Sequence, residues 1–261
     1  MKFDMHCHTK EGSLDGKVPV QEYIRILKEK GFDGMLVSDH NSYKGYQCFQ
    51  EWERTHPDPD FVILKGVEYD TIDGGHILVI MPEDVKLRIL ELRGLPVRFL
   101  VEIVHAKGGI LGPAHPCGDR YVSIFNTRRH RYKREVMESF DFLEGFNACE
   151  AEESNKEAQE IAKKYHKPAL GGSDAHKMAC VGLAYTWFAD EIRRESDLIS
   201  CIKAGEGITC GGSYYRGTTR AKIGKAKEIL IRGFWIYNRL GSFLKRHRRK
   251  LEMRRFRISK D

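Results

Sequence analysis

The sequence predicts an α/β domain, with a mainly parallel sheet covered by helices, followed by a basic helical tail. Three observations carry this expectation. Short apolar, strand-like runs alternate with helical segments through the first two hundred residues. Histidines and carboxylates gather at the ends of those runs. The charge balance then changes abruptly: the chain carries +7 overall, yet Thr219 to Asp261 alone holds fifteen Lys/Arg against three Asp/Glu, leaving residues 1–218 at −5. A length of 261 residues with 41% hydrophobic content suits one large domain, residues 1–218, plus an appendage, residues 219–261.

The elements follow in order. KFDMH reads as the first strand. In PVQEYIRILKEKG the apolar Val20, Tyr23, Ile24 and Leu27 recur at helical spacing, with Pro19 near the start and Gly31 past the end. FDGMLVSDH is the next strand and YKGYQCFQEWERTH a helix. FVILKGVEYD and GHILVIMP are strands joined by the turn-like TIDGG. Two helical stretches around 83–107 lead to GGILGPAHP. A polar, arginine-rich segment over 119–134 reads as a long loop with a short helix. FDFLEGFNA, KPALGGSDAH and GLAYTWFAD are further strands, with the helix ESNKEAQEIAKKYH between the first two. No apolar run reaches about 18 residues, so no transmembrane helix is predicted. The N-terminus lacks a secretory apolar region, so a cytoplasmic protein is expected. The seven cysteines form no CxxC pair and are expected to be reduced and mostly buried.

The histidines carry the chemistry. His6 and His8 end the first strand, Asp39 and His40 the second, and Glu68 the third. His76 begins the strand after it, His115 follows GGILGPA, and Asp174 and His176 follow PALGGS. The carboxyl edge of a parallel α/β sheet is where active sites are built. Neutral imidazoles and carboxylates are ligands for zinc, manganese or iron, and a carboxylate can bridge two ions. In His6-Cys7-His8, residues i and i+2 of a strand point to one face, so both rings can reach one ion while Cys7 turns into the packing layer. Taken singly, each residue has a plainer reading. His76 alone would be a hydrogen-bonded strand end, and Asp15 in SLDG a turn residue beside Gly16. His56, His105, His130, His166 and His247 fall in helical or loop contexts and read as ordinary residues.

The motifs DMHCHT, SLDG, VSDHN, GVEYD, GGHILVI, GPAHP, EGFN and GGSDAH, in this order, resemble the PHP (polymerase and histidinol phosphatase) family of metal-dependent phosphoesterases. The resemblance runs from about Lys2 to Phe188. It implies a distorted, TIM-like (β/α)7 barrel with a trinuclear metal centre at its carboxyl end. It implies a first ion held by His6, His8, Glu68 and Asp174. A second would take His76 and His115 and share Glu68, and a third would take Asp15, His40 and His176. Asp39, Glu144 and Asn147 match positions that orient ligands. The carboxylate of SLDG leans toward the branch acting on nucleotides and short oligonucleotides. The chain departs from that branch at VSDHN, and its spacing from His76 to His115 is too short for the helical insertion found there.

Charge supports the reaction class. Three divalent ions against three carboxylates and one hydroxide leave two positive charges, matching a phosphomonoester dianion. Water on such ions is acidified to a pKa of roughly 7. The expected mechanism is in-line attack on phosphorus by a hydroxide bridging the first two ions. Glu68 bridges, Asp174 orients the nucleophile, and His176 or a metal-bound water protonates the leaving oxygen. Arg128 and Arg129, in the run reaching Arg131, and Lys177 are candidate phosphate clamps, with a solvated surface cluster as the plain alternative.

In the tail, Ile223, Leu230, Tyr237, Leu244 and Leu251 recur every seven residues, with Ala226, Phe234 and Leu240 beside them. This predicts an amphipathic helix with a basic polar face, weakened by Gly233 and Gly241. It could dock on the acidic body or a second subunit, lie on an anionic membrane surface, or hold nucleic-acid phosphates. Two rival functions stand beside the phosphoesterase: an amidohydrolase-like metal hydrolase, which also starts with an HxH strand, and a metal-stabilised adaptor acting through the tail.

Overall fold

A computed structural model describes residues 1–118, 122–127, 134–216 and 226–258. Strands β1 (Lys2–Cys7), β2 (Gly34–Val37) and β3 (Val62–Asp70) pair in parallel. Helix α1 (Val20–Glu29) links the first two and α2 (Lys44–Glu53) the next two. Val20, Tyr23, Ile24 and Leu27 are the buried face of α1, the stripe its periodicity selects. Strand β4 (His76–Ile80) then runs antiparallel to β3, and β5 (Ile110–Pro113), after helix α3 (Val97–His105), runs antiparallel to β4. Strands β6 (Leu143–Asn147) and β7 (Ala169–Gly172) form a parallel pair joined by α5 (Glu152–Lys164), with the short α4 (Arg134–Glu138) preceding them.

Two seams bring these strands into a ring. Asp141 N–H donates to Leu111 O (2.9 Å) where β5 meets β6. Asp174 N–H donates to His6 O (2.9 Å), beside a Cys7–Ala175 bridge, where β7 meets β1. The result is a distorted α/β barrel of seven strands, flanked by β8 (Ala184–Phe188), antiparallel to β1, and β9 (Ile208–Gly212). The sheet is therefore mixed rather than mainly parallel. The reason is local: the TIDGG connection is far shorter than a parallel crossover needs, so it makes β3 and β4 a hairpin. Strand β9 and helix α6 (Glu195–Ala204) were not foreseen in the sequence.

The tail forms two helices, α7 (Ala226–Leu244) and α8 (Arg246–Ile258), rather than one. It docks on the body mainly through polar groups, with Tyr237 the described residue of the predicted stripe that takes part. Arg93 donates to Asn238 Oδ1 (2.6 Å) and lies over the Tyr237 ring. Lys245 donates to Glu91 O (2.9 Å), Arg249 donates to the carbonyls of Arg93 and Ser242, and Met253 and Phe256 pack on the core beside α3. Leu230, Leu240, Leu244 and Leu251 face outward. Ile223 lies outside the described residues.

Candidate metal centre

The barrel positions the site by strand direction. His6 and His8 stand at the end of β1, His40 just past β2, Glu68 at the end of β3, and Asp174 and His176 just past β7. His76 looks misplaced at the start of a strand. Because β4 is antiparallel, however, its first residue pairs with Asp70, the last of β3, and reaches the same edge. Cys7 is fully buried among Val18, Val20, Tyr23 and Leu27, so the i, i+2 alternation separates it from the two imidazoles.

The donors converge. His6 Nε2 and His8 Nε2 are 3.0 Å apart, and His8 Nε2 lies 3.2 Å from both Glu68 Oε2 and Asp174 Oδ1. His6 Nε2 is 3.5 Å from Glu68 and 3.7 Å from Asp174. The other Glu68 oxygen faces His76 Nδ1 (2.9 Å) and His115 Nε2 (3.1 Å). At the mouth, His176 Nε2 is 3.1 Å and His40 Nε2 3.9 Å from Asp15 Oδ2. Asp15 is 49% exposed, whereas His6, His8, Glu68 and Asp174 are buried, so the cluster runs from the interior to solvent.

These donor sets fit divalent cations. Ligands about 2.0–2.2 Å from an ion sit roughly 3.0–3.6 Å from one another, the spacing found here. Glu68 Oε2 is buried yet makes no hydrogen bond of acceptable geometry among the described residues, although imidazole nitrogens crowd it. Four of the rings are also held the same way round, whereas His40 Nδ1 lies 3.1 Å from both Asp70 Oδ1 and Glu68 Oε2. His6 Nδ1 meets Glu144 (2.9 Å) and His8 Nδ1 meets Ser13 Oγ (3.2 Å). His115 Nδ1 meets Ser123 Oγ (3.3 Å) and His176 Nδ1 meets Asp174 O (3.0 Å). Each is left with Nε2 aimed at the cluster, the arrangement by which proteins fix a ligating tautomer.

The partners behind the rings are held in turn. Asn147 Nδ2 donates to Glu144 (3.1 Å) and to Asp174 (3.2 Å), and the His115 N–H donates to Glu144. Asp39 accepts from Thr9 and from Ser13 Oγ (3.0 Å), the hydroxyl that also meets His8. The backbone takes unusual turns here: Asn41 (φ 47°), His115 (φ 30°) and Asp174 (φ 49°) occupy the left-handed region without being glycine. Such positions persist where surrounding contacts over-determine them.

Electrostatics matches the geometry. Burial alone would push the Glu68 carboxyl up, but His40, His76 and His6 outweigh it and hold it well below the usual range. Asp174 is held down in the same way by His6 and His8. Burial pulls His40 down, but Glu68 and Asp70 lift it to about 10.

Asp70 is the site residue the sequence reading missed. It is buried, and its Oδ1 lies 3.1 Å from His40 Nδ1 and 3.5 Å from His76 Nε2. Arg93, which carries the tail contacts, is 3.5 Å from its other oxygen. The signal was available: Glu68 and Asp70 show the same i, i+2 strand spacing as His6 and His8. Lys177 is exposed, with its ammonium 6.0 Å over the Tyr215 ring. Arg128 and Arg129 lie outside the described residues.

Comparison with known proteins supplies the family. The sequence matches the PHP domain family over residues 4–170 and the PHP-associated family over 152–206. The chain belongs to the PHP domain family. It is 28% identical over 74 residues to a PolC-type DNA polymerase III of Lacticaseibacillus paracasei, a match spanning only 5% of that protein. Its fold resembles PsfC from Pseudomonas syringae (TM-score 0.59, 16% identity, 89% of this chain and 98% of that one). It also resembles a two-domain Bacteroides vulgatus protein containing a predicted PHP-like metal-dependent phosphoesterase (0.59, 14%, 81% and 64%). An Endonuclease Q bound to duplex DNA with an abasic lesion shares the fold (0.52, 18%, 80% and 57%).

Proposed function

We propose that this chain hydrolyses a phosphomonoester, on a nucleotide or short oligonucleotide, at a centre of three divalent ions of zinc, manganese or iron. The observation that carries the reading is the common orientation of the imidazoles: the rings of His6, His8, His115 and His176 tie Nδ1 to the protein and turn Nε2 to the clustered carboxylates. A structural histidine cluster has no need of that uniformity.

His6, His8, Glu68 and Asp174 would hold one ion, and Glu68 with His76 and His115 a second. Asp15, His40 and His176 would hold the third, nearest solvent. Bound there, the ions supply Lewis acidity and an acidified water. The remaining work falls to the chain. Asp174, fixed by Asn147, orients the attacking water. Asp70 keeps the His40 ring turned toward Asp15. His176 and Asp15, at the exposed edge, would hold the third ion where the phosphoryl group approaches; with His176 Nδ1 bonded to Asp174 O and Nε2 turned to that ion, the leaving oxygen takes its proton from water. Leu14, exposed beside Asp15, and Met178, exposed just after His176, offer apolar contacts to the organic part of the substrate. The abasic-site substrate of the Endonuclease Q neighbour is consistent with a nucleotide phosphate here.

The test is purification without chelator, metal analysis, and phosphate release from nucleotides, 3′,5′-bisphosphates, short RNA and sugar phosphates with manganese or zinc. Full activity in His8→Ala or Asp174→Ala refutes the assignment.

A further inference from the structure

Helix α7 is mounted with its polar side inward. Asn238, Gly241 and Ser242 face the body, against Arg93 and Gly94. On the opposite side Ile229, Leu230, Ile236, Leu240, Phe243 and Leu244 are 50–79% exposed. At about 100° per residue these six fall within one arc of about 140°. A contiguous apolar face of this size in water marks an interaction surface.

We propose that this face docks on an anionic lipid surface. Charge selects the occupant. Exposed Arg232 and Arg239 line one edge of the stripe, and Arg239 lies over the Trp235 ring at 4.9 Å. Helix α8 adds exposed Arg246, Arg248, Lys250, Arg254 and Arg255. A cleft of about 320 Å³ between α8 and the body is lined by Lys86, Arg88, Lys107 and Arg255 against a single acid, Glu252. An apolar stripe edged by arginine and tryptophan is the composition of helices that lie in a membrane interface. A second copy would bring two strongly basic tails together, which like-charge repulsion opposes. Nucleic-acid phosphates would neutralise the arginines but leave six aliphatic and aromatic side chains in water. Among the described residues no helix is long and apolar enough to cross a membrane, so the attachment is to the surface.

The experiment is co-sedimentation of the full chain with vesicles of phosphatidylcholine alone and of phosphatidylcholine with phosphatidylserine, at two salt concentrations. The wild-type chain partitions onto the mixed vesicles, and salt weakens it. Leu240→Asp with Phe243→Asp lowers the partition coefficient about a hundredfold, because two side chains no longer leave water. The same pair leaves the thermal midpoint unchanged, since neither residue packs on the body. Arg232→Glu with Arg239→Glu lowers the partition coefficient about thirtyfold or more on mixed vesicles only. No sedimentation with mixed vesicles, or wild-type sedimentation of the apolar double variant, overturns the proposal. So does a wild-type dimer in analytical ultracentrifugation that the apolar variant dissociates, or RNA retention that the apolar variant abolishes.

Discussion

Glu68→Gln is the sharpest test of the centre, because one carboxylate faces five imidazoles. Its two oxygens lie 2.9 Å from His76, 3.1 Å from His115 and His40, 3.2 Å from His8 and 3.5 Å from His6. Glutamine keeps the shape but removes the charge and turns one acceptor into a donor. Removing one member of a buried charge pair costs about 3–5 kcal/mol. At about 1.4 kcal/mol per factor of ten, metal affinity falls by roughly two to three and a half orders of magnitude. The assay is competition with a chromophoric chelator, with metal content by mass spectrometry and phosphate release measured alongside. Glu144→Gln is the graded control: it touches the Nδ1 side of His6, and partners at that remove cost about 10–100-fold in affinity. Circular dichroism of both variants in chelator separates metal loss from unfolding. If folded Glu68→Gln holds metal as tightly as Glu144→Gln, the bridging role is wrong.

Cys7→Ala, at a buried position facing α1, costs about 1 kcal/mol of stability and leaves metal content intact; lost metal would refute the alternation argument. Removing metal from the loaded protein lowers its midpoint by about 5–10 °C, from about 2.7 kcal/mol at a hundredfold excess over Kd and about 2–4 °C per kcal/mol; a scan unchanged by chelator contradicts this. His40 sits at about 10 when folded against 6.5 unfolded, so its proton-linked stability is complete below 6.5 and lost as pH rises through 10. Metal displaces that proton, so affinity rises about tenfold per pH unit between 6 and 8, and calorimetry finding a flat profile would be evidence against it. Arg93→Ala removes a charged hydrogen bond and a ring contact, together about 2–4 kcal/mol. Amide exchange in α7 then quickens by about two orders of magnitude, while unchanged exchange would mean that other contacts hold the tail.

Much of this protein was legible in order of residue. Strand and helix periodicity is local, so β1 to β7 and α1, α2, α3 and α5 could be read from spacing, as could the His6/Cys7/His8 division. Antiparallel β4 was implicit in the five residues of TIDGG, yet only the paired register shows that it brings His76 to Asp70. Asp70 shares the strand spacing of Glu68, but its role depends on His40 and Arg93, residues distant in sequence. The tail shows the same limit most clearly. Heptad spacing identifies an apolar face without saying what lies opposite it. Here Arg93, Glu91 and the carbonyls around them captured the polar face instead. Side-chain direction along one element follows from backbone geometry and can be read from sequence. Which neighbour meets that side chain depends on contacts between distant segments, which only the folded chain decides.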